Sequence, residues 1–166
     1  EFITIATTRP ETMFGDTAVA VSDEDERYKH LIGKNVILPI VNRPIPVIAD
    51  EHADPTKGTG AVKITPAHDF NDFEVGKRHN LLMINILNND ATLNENVPTA
   101  YQGLTCPQAR EKVLEEIKSL GLFDHEEPNP MTIPHGERTG AVIEPLMTDH
   151  WFVNAKEFAK DAIKAI

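Results

Sequence analysis

The sequence predicts an α+β fold, a closed or nearly closed β-barrel with a few flanking helices. Three observations lead there. Short β-rich apolar runs outnumber helical stretches. The two kinds do not alternate in the regular order that repeated βαβ units require. Helical caps or apolar stripes mark only three places.

Taken in chain order, Phe2–Thr8 and Thr17–Val21 are the first extended segments. Asn35–Ile40 and Ile45–Ala49 flank the loop Val41-Asn42-Arg43-Pro44 and are expected to pair. Pro39, Pro44 and Pro46 put that pair at an edge or near strand ends, since proline donates nothing to a ladder. Ala61–Thr65 follows the tight Gly58-Thr59-Gly60 turn, and Leu82–Leu87 and Ala141–Met147 complete the apolar runs. A helix is predicted from about Phe70, with Asp69 as its N-cap. The clearest helix runs from about Cys106 to Leu120. Thr105 and Gln108 have capping-box spacing, Ala109, Val113, Ile117 and Leu120 form a stripe, and Gly121 stops it. A third helix starts after Asn154, with Glu157 at the capping-box position. Asp124–Pro134 is rich in proline and acid and reads as a loop.

At 166 residues the chain holds one compact domain. Glu1 leads straight into an apolar run and the last helix breaks off mid-pattern at Ile166, so residues 1–166 are expected to be excised from a longer polypeptide. No apolar run suits a bilayer and no signal peptide opens the chain, so a soluble, cytoplasmic monomer without membrane contact is expected. The single cysteine, Cys106, excludes an internal disulfide and a CxxC zinc site. A net charge of -10 opposes nucleic-acid binding by the bulk surface, although a local basic cluster can still hold an RNA end.

Two segments concentrate hydroxyls, a cation and carboxylates at strand ends: Thr7-Thr8-Arg9-Pro10-Glu11-Thr12 and Gly58–Asp72. Lys63 and Thr65 share one strand face. Pro66 ends that strand, and His68-Asp69 lead into a helix with Asp72 at its N3 position. Acids there ordinarily cap the helix; the alternative is that Asp72 turns inward to meet a substrate ammonium. Thr7 and Thr8 are either simple β-formers or groups that orient a water, and Arg9 is either a surface ion-pair partner or a substrate contact. His52, His68, Asp69 and Asp72 offer metal-binding atoms without any helical ligand spacing, so no metal is expected. GxSxG, P-loop and GxGxxG motifs are absent, and Cys106 has no evident base.

Residues 6–21, Ala-Thr-Thr-Arg-Pro-Glu-Thr-Met-Phe-Gly-Asp-Thr-Ala-Val-Ala-Val, resemble the threonine-rich motif in the editing insertion of class I aminoacyl-tRNA synthetases for valine, leucine and isoleucine. Gly58–Asp72 resembles the insertion's second motif. Asp23–Tyr28, Glu74–Leu81 and Ile143–Val153 extend the likeness over nearly the whole chain. Asn71 in place of an arginine, the Lys63-Ile64-Thr65 run, and Glu11 in place of a tryptophan favour the valine type. His150 stands where glutamine is more usual. His30-Leu31-Ile32-Gly33 resembles an ATP-binding signature only superficially, so the chain is not expected to activate valine.

The resemblance implies a β-barrel-centred domain that hydrolyses threonine from mischarged valine tRNA, with threonyl-adenylate as a possible second substrate. Its partners would be the 3′ CCA end of tRNA(Val) carrying threonine and the rest of the synthetase in cis, and it needs no cofactor. Asp72, Lys63 and Thr65 are the implied catalytic residues; Thr7, Thr8, Arg9, Thr12, His68 and Asp69 are the implied substrate-binding residues. Asp72 would hold the α-ammonium, Asp69 or a backbone group near it would read the threonine hydroxyl, and Lys63 or Arg9 would stabilise the oxyanion. Such a second site is needed because a valine pocket rejects isosteric threonine only about a hundredfold, a limit for which the valine enzymes are themselves the established example.

Overall fold

The computed structural model describes residues 2–164, without the side chains of residues 161 and 162. The expected chain ends at Glu1 and Ile166 lie outside the described residues. Four short strands form one open sheet: β1 (Ala18–Val21), β2 (Asn35–Leu38), β3 (Arg43–Ala49) and β4 (Ala61–Ile64), in the order β2-β3-β1-β4. β1 runs parallel to β3, with Val19 opposite Val47, and antiparallel to β4, with Val19 opposite Lys63. β2 and β3 form the expected hairpin. Its turn is residues 39–42, earlier than predicted, because Ile40 and Asn42 take the positive φ that reverses the chain and so leave Arg43 and Pro44 free to join the strand.

The sheet is α+β in character but does not close into a barrel. Phe2–Thr8, Leu82–Leu87 and Ala141–Met147 carry the apolar content of strands but make at most an isolated bridge, Leu87 with Leu93 and Val142 with His135. Leu82–Leu87 shows why. The Ile86 N–H goes to His68 Nε2 at 2.9 Å, and the Asn94 amide donates to the carbonyls of Asn85 and Leu87 at 3.0 and 3.3 Å. Side chains thus satisfy part of this backbone, and the rest pairs only locally, through a single bridge of Leu87 to Leu93 and the Asn94 N–H on the Ile86 carbonyl at 2.9 Å. Phe2–Thr8 likewise only lays Ile3 and Ile5 against the core.

β1 is buried on both faces, which its unbroken Ala-Val-Ala-Val run foreshadows. Val19 and Val21 face the main core with Phe14, Val47, Ile86, Tyr101, Ala109 and Val113. Ala18 and Ala20 face a smaller cluster with Ile64 and Val75. That small-residue face lets helix α1 (Phe70–Arg78) pack closely, capped by Asp69 as predicted through its Oδ1 to the N–H groups of Asn71 and Asp72. The main face is covered by a 3-10 helix, Pro10–Gly15, and by α2 (Cys106–Ser119). Gln108 of α2 accepts the Thr105 N–H at 3.0 Å, and Gly121, at φ 68°, ends the helix. α3 (Ala155–Lys164) follows Asn154. Among the described residues no helix is long and apolar enough to cross a membrane.

Candidate functional site

The β1–β4 pairing brings the two motif segments together. Lys63 lies opposite Val19, so its side chain points towards the turn that precedes β1, where the 3-10 helix delivers Thr12 and Asp16. Lys63 Nζ donates to Thr65 Oγ1 at 2.5 Å, Thr12 Oγ1 at 2.8 Å and Asp16 Oδ1 at 3.0 Å. The Thr65 hydroxyl donates in turn to Asp16 Oδ1 at 2.5 Å, and that of Thr12 to the Arg9 carbonyl at 3.0 Å. Thr12, Asp16 and Thr65 are buried, and Lys63 is the partly exposed member. Burial pushes the Asp16 carboxyl above its ordinary value, and the Lys63 ammonium is foremost among the groups that pull it back. Arg43 holds the turn from the other side through the carbonyls of Phe14 and Asp16, at 2.7 and 2.8 Å.

An ammonium has three N–H donors, and Lys63 spends all three on these neighbours. In this arrangement all three are directed at protein oxygens. Arg9 is differently placed. Nη1 donates to the His68 carbonyl at 3.1 Å and Nη2 to Glu144 at 2.5 Å, which leaves N–H groups on a side chain 23% exposed.

Asp72 is buried at the first turn of α1. Its Oδ2 accepts the Thr65 N–H at 2.8 Å, joining the helix to the end of β4. Its Oδ1 lies 3.5 Å from His52 Nε2. Burial raises the Asp72 carboxyl to about 6, with the nearby Asp69 charge adding to the rise. Thr65 thus touches both charged groups: Lys63 on its hydroxyl and Asp72 on its amide.

The remaining expected residues are placed as follows. Asp69 is exposed and serves as the helix cap. Thr7 and Thr8 are exposed, and Thr7 Oγ1 accepts the Arg9 N–H at 3.1 Å. His68 is buried with both ring nitrogens paired: Nδ1 to the Pro145 carbonyl at 3.0 Å and Nε2 to the Ile86 N–H at 2.9 Å. Burial lowers its imidazole to about 4, which agrees with a neutral ring that donates at Nδ1 and accepts at Nε2. His68 is therefore a clamp between three chain segments and offers no free ring nitrogen to a substrate. Cys106 is buried and its thiol is pushed up, mainly by that burial, to about 12, which removes it as a nucleophile. Among the described residues no group of three or more His, Cys, Asp or Glu could hold a metal ion.

Three participants were missed by sequence reading, Asp16, Glu11 and Glu144, and His52 was weighed only as a metal ligand. Glu11, almost wholly buried, receives Arg110 of α2 at 2.7 and 2.9 Å, and so ties the threonine motif to that helix. No local spacing announces these pairings, because the partners lie 47 to 135 residues apart. A cleft of about 510 Å³ lies elsewhere, lined by acids including Asp23, Glu24, Glu51 and Asp54, and contains no candidate residue.

Residues 26–109 match the family model described as leucyl-tRNA synthetase, editing domain. The chain is 58% identical over 166 residues to the valine–tRNA ligase of Francisella tularensis subsp. tularensis, covering all of this chain and 18% of that protein. It is 58% identical over 163 residues to the valine–tRNA ligase of Lactococcus lactis subsp. lactis, again 18% of the relative. Against the valine–tRNA ligase of Mesorhizobium japonicum the identity is 54% over 182 residues, 20% of that protein. The chain thus spans about a fifth of the length of these curated relatives.

Proposed function

The chain belongs to the editing-domain family of the aminoacyl-tRNA synthetases, and from that premise we propose that it hydrolyses threonine wrongly esterified to valine tRNA. The observation that supports this reading best is the disposition of Asp72. A buried carboxylate with one oxygen fixed by the Thr65 amide and the other 3.5 Å from His52 Nε2 suits an α-ammonium. Every aminoacyl ester carries that group.

In this reading Asp72 anchors the ammonium and Asp69 lies beside it at the start of α1. Arg9, with N–H groups to spare, faces the terminal ribose and the carbonyl oxygen that becomes negative as water attacks. Thr7 and Thr8 line the exposed approach, while the buried Thr12, Thr65 and His68 support it from behind. Water delivered to a positioned ester suffices without a covalent intermediate, because alignment itself lowers the barrier. Threonyl-adenylate carries the same ammonium and an activated carbonyl, so it would enter by the same contacts. No cofactor takes part.

The test is release of threonine from threonyl-tRNA(Val) by the full-length protein, wild type against Asp72→Ala. Loss of a charged hydrogen-bond partner costs about 1.5–3 kcal/mol, so kcat/KM should fall roughly 10- to 150-fold. Undiminished release by the variant overturns the role of Asp72. Binding of the tRNA end without release would make the domain a positioning module, and preferential release from leucine or isoleucine tRNA would move it to another branch.

A further inference from the structure

We infer that Glu144 is a positioning residue for Arg9: its carboxylate holds the guanidinium at the His68 carbonyl, with N–H groups left over for a substrate. The kinetic arm of the test rests on the editing reading; the structural arm does not.

An arginine side chain gives up much rotamer freedom when it is ordered, so a guanidinium keeps one place only where it is bound at several points. Arg9 is bound at two. Nη2 donates to Glu144 Oε2 at 2.5 Å and Nη1 to the His68 carbonyl at 3.1 Å. The first is the shorter and joins opposite charges, so it contributes more. A rival carboxylate lies close by. Glu11 Oε1 is 3.8 Å from Arg9 Nε, beyond hydrogen-bond length, and the two Glu11 oxygens receive Arg110 at 2.7 and 2.9 Å. Glu11 is almost wholly buried, whereas the Arg9 side chain is partly exposed. A guanidinium drawn onto Glu11 would therefore turn inwards, away from any substrate at the surface. Glu144 supplies the pull that opposes this.

The place of Glu144 does not depend on Arg9. The Pro145 carbonyl accepts the His68 Nδ1–H at 3.0 Å, the Met147 N–H donates to the Ala67 carbonyl at 3.1 Å, and Leu146 packs against the main core. The strap Glu144–Met147 is thus fastened across the turn between β4 and α1 by contacts of its own, and it brings the carboxylate to an arginine 135 residues away. Loss of the carboxylate alone leaves those fastenings in place.

In the full-length protein, Glu144→Ala should lower kcat for release of threonine from threonyl-tRNA(Val) at least about tenfold, as a displaced contact at the reacting carbonyl does. Glu144→Gln keeps an acceptor oxygen for Nη2 and should stay within about threefold of wild type. Both variants should melt within about 2 °C of wild type, since the strap keeps its other anchors. A smaller fall in Glu144→Ala, or a Glu144→Gln no better than it, overturns the proposal. So does a larger loss of melting temperature or a failure to fold in either variant, which would make Glu144 a structural residue. Crystal structures of the full-length variants give a readout without substrate. The Arg9 guanidinium is expected off the His68 carbonyl and turned towards Glu11 in Glu144→Ala, and in its wild-type place in Glu144→Gln. A guanidinium unmoved in Glu144→Ala overturns the assignment. Failure of the wild type to release threonine would sink the editing reading instead, and the position of Arg9 in the two variants would still decide this one.

Discussion

Asp72 answers to two opposed requirements. Its burial raises the carboxyl to about 6, and the same burial gives a bound ammonium a poorly solvated partner. Because the folded value lies above the ordinary 3.8, the folded state holds the Asp72 proton more tightly than the unfolded chain does. The stability contributed by this group is present below the unfolded value and is lost as pH rises through about 6. Asp72→Asn carries no such cost and can still accept the Thr65 N–H. It should therefore be more stable than wild type at pH 8, by ~1–3 kcal/mol, with the gap narrowing as the pH falls towards 4. Thermal unfolding at several pH values measures this, and a variant less stable throughout would show that the hydrogen bond outweighs burial. On the proposed function, activity has the opposite slope: release of threonine by the wild type should fall about tenfold per pH unit below about 6, as the carboxylate is lost. A flat profile between pH 5 and 7 would separate Asp72 from the rate.

At the scale of elements, α1 sets where Asp72 stands, and its seat on the sheet depends on one glycine. A Cβ at Gly76 would meet the Pro66 side chain at 2.8 and 2.9 Å and Met83 Cε at 3.0 Å. Proline cannot move aside without disturbing the end of β4, so Gly76→Ala should push the helix outwards. The expected cost is about 1–3 kcal/mol, or roughly 2–10 °C in the melting temperature, although alanine is the better helix former. A melt unchanged within 1 °C or so would mean that the helix slides freely. The helices were legible beforehand because their signals are local: Asp69, the Thr105–Gln108 pair and Gly121 each act within a few residues. The barrel was not. An apolar run such as Leu82–Leu87 signals burial, and burial alone does not say whether a strand or the side chains of His68 and Asn94 will satisfy its backbone. The motif segments were visible in the same way, as unusual local composition. Their pairing through Asp16 and Lys63, and the Arg9–Glu144 and Arg110–Glu11 links, arise from chain reversals that no spacing encodes.

For the molecule as a whole, the site and the surface point in different directions. The candidate site supplies a cation at Arg9 and contacts suited to one aminoacyl group, whereas the chain carries a net charge of -10 and a cleft lined with acids. Neutralisation of phosphates is the main source of affinity for nucleic acid, so this chain by itself should hold tRNA weakly. The relatives it matches are about five times longer, and on the proposed function the remainder would bind the body of the tRNA and present its 3′ end to this site at high effective concentration. Two substrates separate affinity from chemistry. On threonyl-tRNA(Val) the isolated 166-residue protein should be at least about a hundredfold less efficient than the full-length protein, with the deficit mainly in KM. On threonyl-adenosine, which has no tRNA body, the two should agree within a few-fold. Equal efficiency on the tRNA would mean that the acidic surface does not limit binding. A folded fragment inert towards the small ester would mean that a catalytic group lies outside these residues.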